Sequence, residues 1–134
     1  MAKAKQAKIL LVDDDPVFVK ATKTVLESKN YKVSTALDGD EGVKKAKAEK
    51  PDLIILDIIM PNKDGFTTCE EIKADPKLVK VPVIMLTSFA ERRGETSIPV
   101  SRGLGLEAED YIDKPVSPAE LLTRVEKQLK KVGF

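Results

Sequence analysis

The chain has 134 residues, 42% of them hydrophobic, and 23 basic against 22 acidic side chains leave a net charge of +1. A chain of this size can bury one core, and so even a balance argues against direct capture of nucleic acid through an overall positive field. There is no histidine, which excludes imidazole acid–base catalysis, imidazole metal ligation and a phosphohistidine carrier, and leaves carboxylate chemistry as the main option.

Residues 1–7, rich in Ala, Lys and Gln, read as a flexible basic tail. Ile9–Val12 is a short aliphatic strand that ends in Asp13-Asp14-Asp15. Asp15 then caps a helix, with Pro16 pre-set for its first turn. Val17, Phe18, Ala21, Val25 and Leu26 recur at helical spacing, so the helix should run from Pro16 to about Ser28, with Asn30 a left-handed terminator. Tyr31–Ala36 alternates as a half-buried strand. Asp38 and Glu41 form a reciprocal cap for a helix ending near Glu49, whose Lys44, Lys45, Lys47 and Lys50 make a solvated face.

Leu53–Leu56 is an unbroken aliphatic run between Pro51 and a Pro/Asn/Asp/Gly cluster, the mark of a strand buried on both faces. It ends at Asp57, a carboxylate that must leave the apolar layer at the strand end. In an open parallel sheet that edge is where ligands bind, and Asp57 is the expected nucleophile. Phe66, Cys69 and Ile72 mark a helix from Phe66 to about Ala74. Val81–Leu86 is a fourth strand ending in Thr87-Ser88, and Glu109–Asp113 a fifth ending in Lys114-Pro115. Ser117-Pro118-Ala119-Glu120 opens the last helix, buried through Leu121, Leu122, Val125, Leu129 and Val132.

Strands and helices alternate five times, which predicts a doubly wound α/β protein with a parallel five-stranded sheet in one domain spanning residues 1–134. The polar residues then carry the information. Four strands end in Asp13/Asp14, Asp57, Thr87 and Lys114, and a parallel sheet puts all four ends on one rim. Clustered carboxylates raise one another's pKa values unless a cation joins them, and Mg²⁺ suits a few carboxylates with retained waters. A nucleophilic oxygen, a metal and donors for equatorial oxygens are the parts of phosphoryl transfer. No apolar run is long enough to cross a bilayer or to act as a signal peptide, so no membrane insertion is expected. Cys69 has no second cysteine to pair with, which fits a cytoplasmic location.

Ile9–Pro16, Pro51–Asp57 with Met60-Pro61 and Asp64-Gly65, Val83–Ser88 and Asp110–Pro115 together resemble the receiver domain of bacterial two-component response regulators. The resemblance implies a flavodoxin-like fold of receiver topology. It implies that Asp57 accepts a phosphoryl group from a histidine kinase or phosphotransfer protein. Mg²⁺ would lie on Asp13, Asp14, Asp57 and the main-chain carbonyl of Ile59, with Thr87 and Lys114 on the phosphoryl oxygens. Thr87 and Tyr111 would be the switch pair, moving a surface made of the family's fourth helix, fifth strand and fifth helix toward a downstream protein target. A phosphorylation-dependent dimer is a further option. The chain is expected to be a stand-alone receiver or one excised from a longer protein, and to catalyse only its own phosphorylation and dephosphorylation.

The stretch from Phe89 to Glu107 departs from the family pattern: Pro99, Gly103 and Gly105 interrupt the expected fourth helix, which predicts a longer loop with a short or displaced helix. Ile59 and Phe89 place apolar bulk where a hydrolytic water must approach, which predicts slow self-dephosphorylation. The rival reading is a pseudo-receiver, a binding module indifferent to phosphate. A phosphohydrolase is disfavoured because Ile59 stands where such enzymes carry a second acid.

Overall fold

The computed structural model describes residues 6–87 and 108–134. The expectations for Phe89 and for the departing stretch up to Glu107, and for the first five residues of the tail, lie outside them. The strands β1 (Lys8–Val12), β2 (Lys32–Ala36), β3 (Leu53–Asp57), β4 (Val83–Thr87) and β5 (Asp110–Asp113) form one parallel sheet in the order β2-β1-β3-β4-β5. The helices α1 (Pro16–Glu27), α2 (Gly39–Glu49) and α3 (Gly65–Lys73) and a C-terminal helix (Pro118–Lys131) complete the described elements.

The helices α1, α2 and the C-terminal helix start at their sequence caps, and α3 starts at Gly65, one residue before the expected Phe66. Asp15, Asp38, Asp64 and Ser117 are the N-caps, their side chains accepting backbone N–H groups of the first turn. The Asp38–Glu41 cap differs from the reciprocal form: Asp38 accepts the Glu41 N–H, but Glu41 Oε1 reaches past Asp38 to the N–H of Leu37. Asn30 takes the expected left-handed conformation (φ 67°) beyond α1. β4 begins two residues later than the hydrophobic run, at Val83, because Pro82 has no N–H to give a ladder. Its carbonyl still accepts the N–H of Ile54.

Two apolar layers sandwich the sheet. Leu10, Val12, Ile54, Leu56, Val83 and Met85 face α2 and α3 through Phe66, Cys69 and Ile72. Ile9, Leu11, Leu53, Ile55, Ile84 and Leu86 face α1 and the C-terminal helix through Leu26, Leu121, Val125 and Leu129. The alternation within β1, β3 and β4 explains why these strands read as continuous hydrophobic runs: both faces are covered. The register pairs Val12 with Leu56, and Asp57 with Leu86. The strands therefore finish level with one another, and whatever follows each is delivered to one rim.

Candidate functional site: an acidic rim with one lysine

At that rim Asp13, Asp14 and Asp57 each present a carboxylate oxygen within 4.8 Å of the others. Asp13 follows β1 directly; its N–H bonds to the Ala36 carbonyl, and its Oδ1 accepts the N–H of Asp15. Asp57 closes β3, and the next residue, Ile58, donates its N–H to Leu86 O on β4. Asp13 and Asp57 are almost fully buried, whereas Asp14 is partly open.

Lys114 enters from the far side. Its N–H bonds to Thr87 O, so the ends of β4 and β5 are tied together where the site begins. Its Nζ lies 2.7 Å from Asp13 Oδ2 and 3.7 Å from Asp57 Oδ1. The Phe18 ring of α1 sits beneath the same ammonium, 4.4 Å from it, in cation–π contact. The Lys114–Pro115 peptide is cis. Beside Lys114 a groove of about 480 Å³ runs between α1 and the C-terminal helix, lined by Phe18, Val25, Pro115 and Leu121.

The electrostatics follow from burial and crowding. Desolvation, with the charges of Asp13 and Asp14, raises the Asp57 carboxyl to about 7, against the pull of Lys114 and of the Ile59 N–H. Asp13 is also raised, chiefly by burial, with the Lys114 hydrogen bond opposing. One lysine offsets the acids only in part. Among the described residues Asp57 Oδ1 is buried with no hydrogen-bond partner. An all-oxygen donor set with one unsatisfied carboxylate oxygen fits a hard divalent cation, so these three residues could hold a metal ion.

The structure brings Asp13, Asp14, Asp57 and Lys114 together, and Thr87 is buried at the adjoining end of β4. Ile59 is the second residue of the loop after Asp57, its side chain packed against the α2–α3 layer. Tyr111 lies on β5 opposite Met85, 37% exposed, near Cys69 and Glu109. Phe18 was legible only as a core residue of α1. Its place under Lys114 depends on an approach between residues far apart in the chain, which no local pattern encodes.

A parallel sheet with reversed strand order at β1 and β3, and acids at its carboxyl rim, defines a doubly wound α/β protein with its site at the topological switch point. The chain belongs to the response regulator receiver domain family of two-component signalling, whose family model matches residues 9–126. It is 40% identical over 124 residues to the alkaline phosphatase synthesis transcriptional regulatory protein PhoP of Bacillus subtilis, an alignment covering 92% of this chain and 49% of that protein. It is 36% identical to the DNA-binding dual master transcriptional regulator RpaA of Synechocystis, with the same coverage of each. Among solved structures, the signal receiver domain of a signal transduction histidine kinase from Syntrophus aciditrophicus superposes with a TM-score of 0.83 at 35% identity, covering 95% of this chain and 92% of that one. The receiver domain of a sensor histidine kinase from Pseudomonas aeruginosa, solved with a magnesium ion coordinated in the active site cleft, gives a TM-score of 0.80 at 30% identity, covering 94% and 99%.

These relatives overturn one expectation. The even charge balance argued against direct nucleic acid binding, yet the two curated relatives are named as transcriptional regulators, one of them as DNA-binding. The chain spans about half the length of the curated relatives it matches. Net charge summed over these 134 residues is therefore no measure of what proteins of this kind contact, and the exclusion of nucleic acid is withdrawn. Among the described residues no helix is long and apolar enough to cross a membrane.

Proposed function

We propose that this chain is a phosphoacceptor receiver in which Asp57 takes a phosphoryl group from a histidine kinase or phosphotransfer protein, in a Mg²⁺-dependent step, within the cytoplasm. The observation that carries the reading is the convergence of Asp13, Asp14 and Asp57 within 4.8 Å, with Lys114 bridging Asp13 and Asp57. A structural device would not need three acids and an unsatisfied carboxylate oxygen at a sheet's switch point.

In this reading an Asp57 carboxylate oxygen attacks the donor phosphorus; the O–P bond forms as the bond to the donor's imidazole nitrogen breaks, and the imidazole leaves. Asp13, Asp14, Asp57 and the Ile59 carbonyl would hold Mg²⁺, which supplies positive charge that favours the ionised carboxylate and offsets the phosphoryl oxygens. Lys114 leaves its ion pair with Asp13 to pair with one phosphoryl oxygen, and the Thr87 hydroxyl donates to another. The magnesium described for the Pseudomonas receiver supports this assignment. The apolar groove beside Lys114 offers a seat for the donor protein. Thr87 and the half-exposed Tyr111 form the switch that alters the surface seen by a downstream target. The chain acts on no external substrate.

Intact-mass measurement after incubation with acetyl phosphate tests this. One phosphoryl group should be gained with Mg²⁺ and none with a chelator in its place. No gain at saturating donor and Mg²⁺ would refute the reading in favour of a phosphate-indifferent binding module.

A further inference from the structure

The loop from Ile58 to Asp64 carries Ile59, whose N–H bonds to the Asp57 carboxylate and whose carbonyl is the main-chain ligand proposed above. Asn62 adopts a left-handed conformation (φ 71°), Lys63 N–H bonds to Pro61 O, and Gly65 N–H bonds back to Ile58 O at 2.7 Å. These contacts fold the loop on itself. Its first half is anchored by Ile58 and Met60 in the core and by Ile59 packed against it, and Lys63 anchors the far half. Its Nζ lies 2.7 Å from Asp40 Oδ1 in the first turn of α2, and 2.8 Å from both carboxylate oxygens of Glu71 on α3. Its stem runs along Gly39, where a Cβ would fall 3.0 Å from Lys63 Cδ and 2.4 Å from Thr68 Oγ1. The lysine side chain is 20% exposed, so its stem is packed although its partners reach solvent.

We infer that Lys63 is a positioning residue for the metal: bonded to Asp40 and Glu71, it straps the β3–α3 loop to α2 and α3 and so holds the Ile59 carbonyl ready for the cation. The inference rests on the Mg²⁺ site proposed above. A main-chain carbonyl on a loop can serve as a preorganised ligand only if the loop is ordered before the ion arrives. Isolated surface ion pairs order little, but here one ammonium joins two carboxylates on separate helices in a network, which fixes a point in three directions. The Lys63–Asp40 pair also ties the loop to α2, which begins just past β2, and Ala36 at the end of β2 accepts the N–H of Asp13. The two sides of the acidic pocket are thereby braced against each other.

The sign of the effect separates this role from simple electrostatics. Removing a positive charge near an acidic pocket should strengthen cation binding if only the field matters. Loss of the strap should weaken it. Calorimetric Mg²⁺ titration of the protein and its Lys63→Met, Lys63→Arg and Asp40→Asn/Glu71→Gln variants decides between them, with melting in chelator as the readout of fold. Lys63→Met keeps the packed stem and should raise the Mg²⁺ dissociation constant about tenfold, the low end for groups that orient metal ligands. The double variant should weaken binding at least as much. Lys63→Arg, which retains both ion pairs, should stay within about twofold. Unchanged or tighter binding by Lys63→Met would overturn the inference and leave the acidic pocket standing. Failure of the unsubstituted protein to bind Mg²⁺ would overturn both.

Discussion

Asp57→Asn should stabilise the metal-free protein while abolishing its chemistry. Burial and the neighbouring acids raise the Asp57 carboxyl from 3.8 to about 7. A carboxyl with a folded pKa above its unfolded value binds its proton more tightly when folded, so its contribution favours folding at low pH. That contribution is lost as pH climbs from about 4 toward 7. At roughly 1.4 kcal/mol for each pH unit, the gap amounts to about 4 kcal/mol at neutral pH. Asp13 and Lys114 share the same field, so the gain from an isosteric amide is about 2–4 kcal/mol at pH 7. For a chain of this size that is a rise in Tm on the order of 10 °C. Urea melts in chelator at pH 4 and pH 7 measure it: the variant should gain stability at pH 7 and lose most of that advantage at pH 4. Equal stability at pH 7, or a gain of the same size at both pH values, would refute the claim that a buried, crowded charge resides at this position.

Gly65→Ala places a Cβ 2.3 Å from the Asp57 carbonyl oxygen and 2.7 Å from Ile58 Cα, backbone atoms that cannot step aside. It should cost about 1–3 kcal/mol in a denaturant melt and weaken Mg²⁺ binding as the α3 start is pushed off the loop. Lys73, buried at the end of α3, donates to Val79 O and Val81 O and lies 3.5 Å from Glu109, which itself accepts the Val83 N–H. Lys73→Met should cost about 1–3 kcal/mol and increase hydrogen exchange at Val83, because acceptors of the α3–β4 turn lose their donor. Ile59→Asn should shorten the lifetime of the phosphorylated protein severalfold by admitting water beside Asp57, read as the decay of the phosphorylated mass after donor removal; an unchanged decay would remove Ile59 from control of hydrolysis.

Much of this molecule is legible along the chain because its strands are buried on both faces and each ends abruptly in a polar residue. Leu53–Asp57 illustrates this: an aliphatic run with one terminal carboxylate has few places to go except the core and its rim. Three helix starts were legible because Asp15, Asp38 and Ser117 are local capping signals, whereas Asp64, the cap of α3, was not read as one. What stayed hidden depends on approach through space. Lys63 reads as one more surface lysine until α2 and α3 bring Asp40 and Glu71 to it. Lys73 looks solvated by its type, yet the carbonyls of Val79 and Val81 let it lie buried. Phe18 carries the period of α1 but meets Lys114 only in the folded domain. The charge balance misled about nucleic acid for a different reason, since a net charge averages over a surface and says nothing of longer proteins built around such a domain.

The most direct measurement traps the acyl phosphate where it forms. After acetyl phosphate and Mg²⁺, borohydride reduction converts a phosphorylated aspartate to homoserine, and peptide mapping then locates it. Conversion should occur at Asp57 alone and be absent from Asp57→Asn. Conversion at Asp13 or Asp14, or none at any of the three, would contradict the account.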